Sequence, residues 1–258
     1  MAGLLFPLLL FWMPWQWVAI TMGASLFTLA AATTRLRLAV QDVAVARRSL
    51  VRWSDFTEPL RDVFADAMWR RRALMAVAYS TTQTAVVAYM VTFLSVEIGL
   101  SLAVAGGVYA IAQVGGVTGR IGLGLIADLW MKPQLQLGLV GLLTAASCVS
   151  MTAISSAWPV AAITVLCVIL GALSFAWNGT FMAATAASAP EGKIGHFTGG
   201  MQVFIGLGAM IGPALFAIIL SLSASYSLAF VLISLPTIFA AIMMLMPDAG
   251  AASARGRP

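Results

Sequence analysis

The chain has 258 residues, 61% hydrophobic and 9% charged, with a net charge of +5. A soluble domain carries about 25% charged residues, so no single water-surrounded core could enclose this much apolar surface, and lipid must serve as the solvent. The excess positive charge comes mostly from nine arginines between Arg35 and Arg72; it reads as an orientation signal and a contact for anionic headgroups, not as a nucleic-acid surface.

A spanning helix needs about 20 apolar residues. Residues 2–12 are apolar but too few to cross, and they lack the basic start of a secretory signal. Run together with the next segment they would give a helix of about 45 Å at 1.5 Å per residue, too long for a hydrocarbon core of about 30 Å. That helix would also hold Trp12, Trp15 and Trp17 near the bilayer centre, whereas tryptophan favours the headgroup level. Residues 2–12 therefore read as the end of one helix, followed by a turn at Met13 and Pro14 and a crossing over 15–32. Six further crossings are predicted at 73–94, 102–127, 135–154, 159–187, 198–222 and 226–246. Within 33–72, Thr57-Glu58-Pro59 suits a helix start. Leu60, Val63, Phe64, Ala67 and Met68 follow at 3–4 spacing, an amphipathic pattern that predicts a helix lying on the membrane surface or on the bundle's inner mouth. Residues 247–258 read as a disordered tail.

The gaps between apolar runs alternate in charge. Arg35 to Arg72, then Arg120, Lys132, Lys193, Arg255 and Arg257, fall at every second gap. The alternate gaps at 13–14, 95–101, 155–158 and 223–225 hold the single charge Glu97. By the positive-inside rule the basic gaps and the C-terminus are cytoplasmic. The Ala- and Arg-rich usage suggests a bacterial genome, hence a multi-pass protein of the inner membrane.

Polar groups inside a bilayer are costly and face the bundle or a wet cavity. Thr82, Gln83 and Tyr89 share one side of the 73–94 segment; Gly106, Tyr109, Gln113, Gly116 and Arg120 form a stripe on the next. Gly171, Ser174, Asn178 and Thr185 form another, and Gln202 lies near an inner end. Either a solute cavity or ordinary interhelical hydrogen bonds would account for them. No carboxylate or base is expected at mid-bilayer depth, so neither a proton relay nor a counter-charge is expected, and a neutral or weakly polar solute fits best. Gly115-x-x-x-Gly119 and Gly208-x-x-x-Gly212 have the spacing that lets transmembrane helices approach closely. Cys148, Cys167 and His196 have no partners at ligand spacing, so no metal and no cofactor is expected. The chain has no His-Glu-x-x-His and no Gly-x-Ser-x-Gly, and it reads as no enzyme.

Several stretches carry a family resemblance. Phe6-Pro7-Leu8 and Gly212-Pro213-Ala214 precede similar turns and crossings about 200 residues apart, the offset of a chain built from two similar halves. Gly119-Arg120-Ile121-Gly122-Leu123-Gly124-Leu125-Ile126-Ala127-Asp128 is similar to the inner-loop signature of the major facilitator superfamily. In that signature a glycine shortly precedes an aspartate at the cytoplasmic end of a helix. Leu129, Trp130 and Met131 stand where the signature usually carries bases. Trp177-Asn178-Gly179 resembles the family's tenth helix; Thr198-Gly199-Gly200, Gly206-Leu207-Gly208 and Gly212-Pro213 resemble its eleventh.

The resemblance implies an all-α polytopic transmembrane helix bundle of the major-facilitator type, here incomplete. Residues 1–32 would be a remnant of the N-terminal bundle, 33–72 the cytoplasmic central loop, 73–246 the C-terminal six-helix bundle and 247–258 the tail. It implies a secondary transporter moving a small solute by alternating access, with Gln83, Tyr89, Gln113, Asn178 and Gln202 lining the cavity. Arg120, Gly124 and Asp128 would form an inner gate, and Gly115, Gly119, Gly208, Gly212 and Pro213 would pack helices. The implied partners are the lipid bilayer, an unidentified small solute and a missing N-terminal half. The alternative is a non-transporting membrane fragment, or a split-gene half that pairs with a separate polypeptide.

Overall fold

The computed structural model describes residues 13–40 and 54–246, with the backbone alone described at 15, 34–40, 54–56 and 127–130. The expected short helix at 2–12 and the tail at 247–258 lie outside the described residues. Among the described residues all regular structure is helical, and seven helices are long and apolar enough to cross a membrane. The chain divides into two compact units, residues 1–55 and 56–258.

In the first unit, α1 spans Trp15–Val40. The amides of Trp17 and Val18 both donate to the Pro14 carbonyl, so the proline stands at the helix start, where its missing N–H costs nothing. The helix runs eight residues beyond the predicted crossing because 33–40 contains no Gly or Pro to stop it. Thr21, Ser25, Thr28 and Thr33 donate their hydroxyls to carbonyls three residues back, which satisfies them in apolar surroundings.

The second unit holds α2 (Ser54–Ala65), α3 (Ala67–Thr92), a π-helical turn (Phe93–Glu97), α4 (Leu102–Trp130), α5 (Pro133–Ser150), a 3₁₀ turn (Met151–Ala153), α6 (Val160–Ser188), α7 (Ile194–Ser223) and α8 (Tyr226–Leu245). The amphipathic stripe is split between two helices. The Asp66 carboxylate accepts from the amides of Met68, at 2.7 Å, and Trp69, at 3.3 Å; it caps a new helix, so Ala67 and Met68 open α3 while Leu60, Val63 and Phe64 belong to α2. The same cap carries Arg70, Arg71 and Arg72 into the first turns of α3. Helix α2 lies on the His196 end of α7. Val63 is fully buried, Phe64 meets Phe204 edge-on at 5.7 Å, and Asp62 Oδ2 lies 3.1 Å from His196 Nε2 and 4.0 Å from Lys193 Nζ.

The six long helices of this unit associate chiefly in the pairs α4–α6, α3–α7 and α5–α8. Lipid tails are as apolar as the side chains they meet, so association depends on close packing and hydrogen bonds. Small residues make the approach possible. A Cβ on Gly119 would sit 2.7 Å from the Ala172 carbonyl oxygen, and one on Gly115 would sit 2.9 Å from that of Val168. From the opposite helix, a Cβ on Gly171 would collide with the Ala112 carbonyl oxygen. On α7, Gly208 and Gly212 abut the carbonyls of Val77 and Thr81 on α3. Pro213 follows inside α7.

Hydrogen bonds tie the helices further. Tyr79 donates to the Leu137 carbonyl at 2.8 Å, Ser80 to that of Ile205 at 2.7 Å, and Thr82 to that of Ile233 at 2.6 Å. Two apolar cores result. One, around Phe93, Met151, Phe216 and Phe230, lies at the Glu97 end of the bundle. The other, around Met75, Tyr79, Trp177, Phe181 and Met201, lies toward the Arg70–Arg72 end.

Candidate functional site

Depth in the bundle can be measured from Arg72. This side chain is buried at the start of α3. It donates to the Ala184 carbonyl at 3.3 Å and the Ser188 hydroxyl at 2.9 Å, and its guanidinium lies 5.0 Å from the centre of the Trp69 ring. These contacts fix the start of α3 and the end of α6 at one level. Gln83 stands eleven residues further along α3, which is about 16 Å of helix rise. A hydrocarbon core is about 30 Å thick, so Gln83 lies near mid-depth.

Gln83 does not stand alone there. Its Oε1 accepts from Trp177 Nε1 at 3.0 Å, joining α3 to α6. Trp177 is itself buried and meets Tyr79 edge-on at 5.6 Å. A buried indole N–H needs an acceptor, and Gln83 supplies it while remaining only half-buried. Asn178, the next residue of α6, is half-buried and makes no hydrogen bond among the described residues. The other cavity candidates are distributed along the bundle. Gln113 donates to the Tyr109 hydroxyl at 3.0 Å, one turn away on α4. Tyr89 stacks on Phe216 at 4.4 Å, toward the Glu97 end, and Gln202 is exposed on α7. Gly116 packs against the Phe175 ring rather than standing open beside Tyr109 and Gln113.

Arg120 corrects one expectation. It was counted with the basic gaps although it falls inside the predicted 102–127 crossing, and mid-depth was expected to carry no base. In the structure Arg120 lies within α4, ten residues before Trp130, or about 15 Å from the helix end. Its Nε lies 3.5 Å from the Phe175 carbonyl, two residues from the tryptophan that contacts Gln83. The apolar run 102–127 already passed through this arginine; counting it with the boundary charges hid its depth. The helix continues past it through seven apolar or small residues to Asp128.

Of the proposed gate residues, the Asp128 side chain lies outside the described residues. Gly124 lines a cavity of about 330 Å³ with Gly179, Thr180, Ala183, Ala184 and Ala187. Gly179 also stands beside the Arg120 stem: an added Cβ would lie 3.8 Å from Arg120 Cγ. A second cavity, of about 410 Å³, opens where the starts of α3 and α5 meet the end of α8, among Arg71, Arg72, Lys132 and Gln134. No cluster of potential metal ligands occurs among the described residues.

Sequence reasoning missed three contributors. Trp177 was noticed only as part of a motif. Gln136 and Thr180 link α4, α5 and α6: Gln136 donates to the Leu123 carbonyl and accepts from Thr180 at 3.0 Å. The signal available for Trp177 was its N–H, which cannot be buried without a partner.

The family model described as Major Facilitator Superfamily matches residues 1–213. Among solved structures, the fold is similar to that of the E. coli fucose:proton symporter, with a TM-score of 0.68 and 15% sequence identity. The match covers 92% of this chain and 59% of the symporter chain, so this chain spans less than two thirds of that protein's length. At such identity the likeness concerns the fold. No curated protein matches the chain.

Proposed function

Because the chain belongs to the Major Facilitator Superfamily, we infer that it is a secondary transporter, moving a small solute across a bacterial cytoplasmic membrane by alternating access. In this mechanism one bundle rocks against another around a site near the midplane. The observation that carries the reading is the polar group at mid-depth. Gln83, its Trp177 partner and the adjacent Asn178 stand about halfway along their helices and carry the amide and indole groups there, where unneeded polarity is costly. The glycine-lined seams between α4 and α6 and between α3 and α7 support it, since backbones in contact can slide with little side-chain rearrangement. The basic ends of α3, α5 and α7 support a cytoplasmic placement of those ends and of the C-terminus. The fold's transporter members are not enzymes in general, and the mid-depth group holds hydrogen-bonding side chains suited to recognition.

The test is uptake by the chain, expressed at matched levels, against a panel of radiolabelled sugars, carboxylates, amines and amino acids. Saturable uptake of at least one is expected. Gln83→Ala, which removes the acceptor of the Trp177 N–H, is expected to lower it at least tenfold, on the order of 1.4 kcal/mol. Uptake that is nowhere above the vector control, or that Gln83→Ala leaves unchanged, contradicts the reading.

A further inference from the structure

We propose that Arg120 is the specificity-determining counter-charge for a small organic monocarboxylate. The proposal rests on the transporter reading for what the site is for, but the recognition itself follows from the position of Arg120. A guanidinium keeps its charge in proteins and presents a planar fork of donors that matches a carboxylate. At bilayer depth such a charge needs water, a counter-ion or a ligand.

Arg120 lies at the level of Phe175 and Gly179 on α6, the stretch of that helix that also carries Trp177. Its side chain is exposed on the bundle, and its contact among the described residues is one long hydrogen bond, 3.5 Å from Nε to the Phe175 carbonyl. That contact leaves the guanidinium's terminal nitrogens available.

Among the described residues no carboxylate answers it at this depth. The crossings formed by α5, α6, α7 and α8 contain no Asp or Glu, and the π-helical turn after α3 contains only Glu97, at the opposite end. Asp128 stands eight residues further along α4, about 12 Å by helix rise. Nor does a second base stand at this depth among the described residues, so a single negative charge matches the site better than a phosphate dianion. Adjacent space exists. The cavity of about 330 Å³ runs from Gly179, next to the Arg120 stem, along the small residues Ala183, Ala184 and Ala187. Its mostly small lining residues leave room for a small solute. Asn178, half-buried and without a hydrogen bond among the described residues, precedes Gly179 of that lining in sequence.

The test is ligand-dependent thermal stabilisation of the purified chain in detergent. Propionate and lactate are compared with propionamide and lactamide at constant ionic strength, with sulfate and phosphate as further anions. The acids are expected to raise the unfolding temperature saturably, and the neutral amides at least tenfold less effectively. Arg120→Gln is expected to abolish the difference between acid and amide, and Arg120→Lys, which keeps the charge without the fork, to retain part of it. Equal stabilisation by acid and amide overturns the proposal. So does no stabilisation by either acid, stabilisation by sulfate or phosphate alone, or an acid preference that survives in Arg120→Gln. The wild-type comparison of acid with amide stands even if Arg120→Gln fails to fold. Uptake of a neutral solute that Arg120→Gln leaves intact overturns this proposal while the transporter reading stands. Arg120-dependent binding of acids without uptake leaves this proposal standing and sinks transport.

Discussion

Gly171→Ala is expected to destabilise the bundle, although alanine is the better helix former. In an exposed helix the change would favour folding by about 0.8–1.0 kcal/mol. At position 171 the added Cβ would meet the Ala112 carbonyl oxygen, with the Ala112 carbonyl carbon 3.1 Å away. Those are backbone atoms inside α4, so no side-chain rotation can relieve the collision and the α4–α6 seam must open. Overpacking a close-fitted interface costs about 1–3 kcal/mol, which outweighs the propensity gain. Gly107→Ala is the internal comparison, because a Cβ there meets nothing within 4 Å. Thermal unfolding in detergent is expected to place Gly107→Ala at or slightly above the wild type and Gly171→Ala several degrees below it. Equal midpoints for the two variants would show that the α4–α6 seam is looser than described.

Arg72→Leu is expected to lose more. The Arg72 side chain is 6% exposed and crosses from α3 to α6, where it reaches the Ala184 carbonyl and the Ser188 hydroxyl. Hydrogen bonds to charged groups contribute about 1.5–3 kcal/mol each, and the ring of Trp69 at 5.0 Å adds about 0.5–2 kcal/mol. Part of this is offset by the cost of holding a guanidinium away from water, so a net loss of about 2–4 kcal/mol is expected. Ser188→Ala should lose about 1 kcal/mol and, because the two residues share one contact, the double variant should fall short of the sum. Arg72→Lys should recover only part, since one ammonium cannot reproduce the two-pronged contact. Denaturation in mixed micelles measures all four. An Arg72→Leu protein as stable as the wild type would remove the anchor from which depth in the bundle is measured.

The crossings were legible because their signal is long and redundant. Twenty apolar residues between charged gaps leave few alternatives in a bilayer, and α3 to α8 fall on the segments that hydropathy marks. Their ends were less legible. Asp66 begins a helix through two backbone hydrogen bonds, a local event that a periodicity window running from Leu60 to Met68 averages away. Arg120 was misplaced for a related reason: a charge implies a boundary only when the helix stops near it, and here it continues for ten more residues. The Gln83–Trp177 bond could not be read at all, since nothing in the spacing of residues 83 and 177 says that α3 and α6 meet at that level. The glycines at 115, 119, 208 and 212 have a spacing that suits close helix contact, but which helix each abuts came only from the fold.

All of this depends on the six helices α3 to α8 crossing a bilayer with their connections on alternating sides. Single cysteines at Glu97, Ala157, Lys132 and Glu191, four exposed positions, test that directly with a membrane-impermeant maleimide. The native Cys148 and Cys167 are fully buried and give little background. The fold predicts labelling of Glu97→Cys and Ala157→Cys in intact cells, and of Lys132→Cys and Glu191→Cys only after permeabilisation. Identical labelling of all four from one side would contradict it.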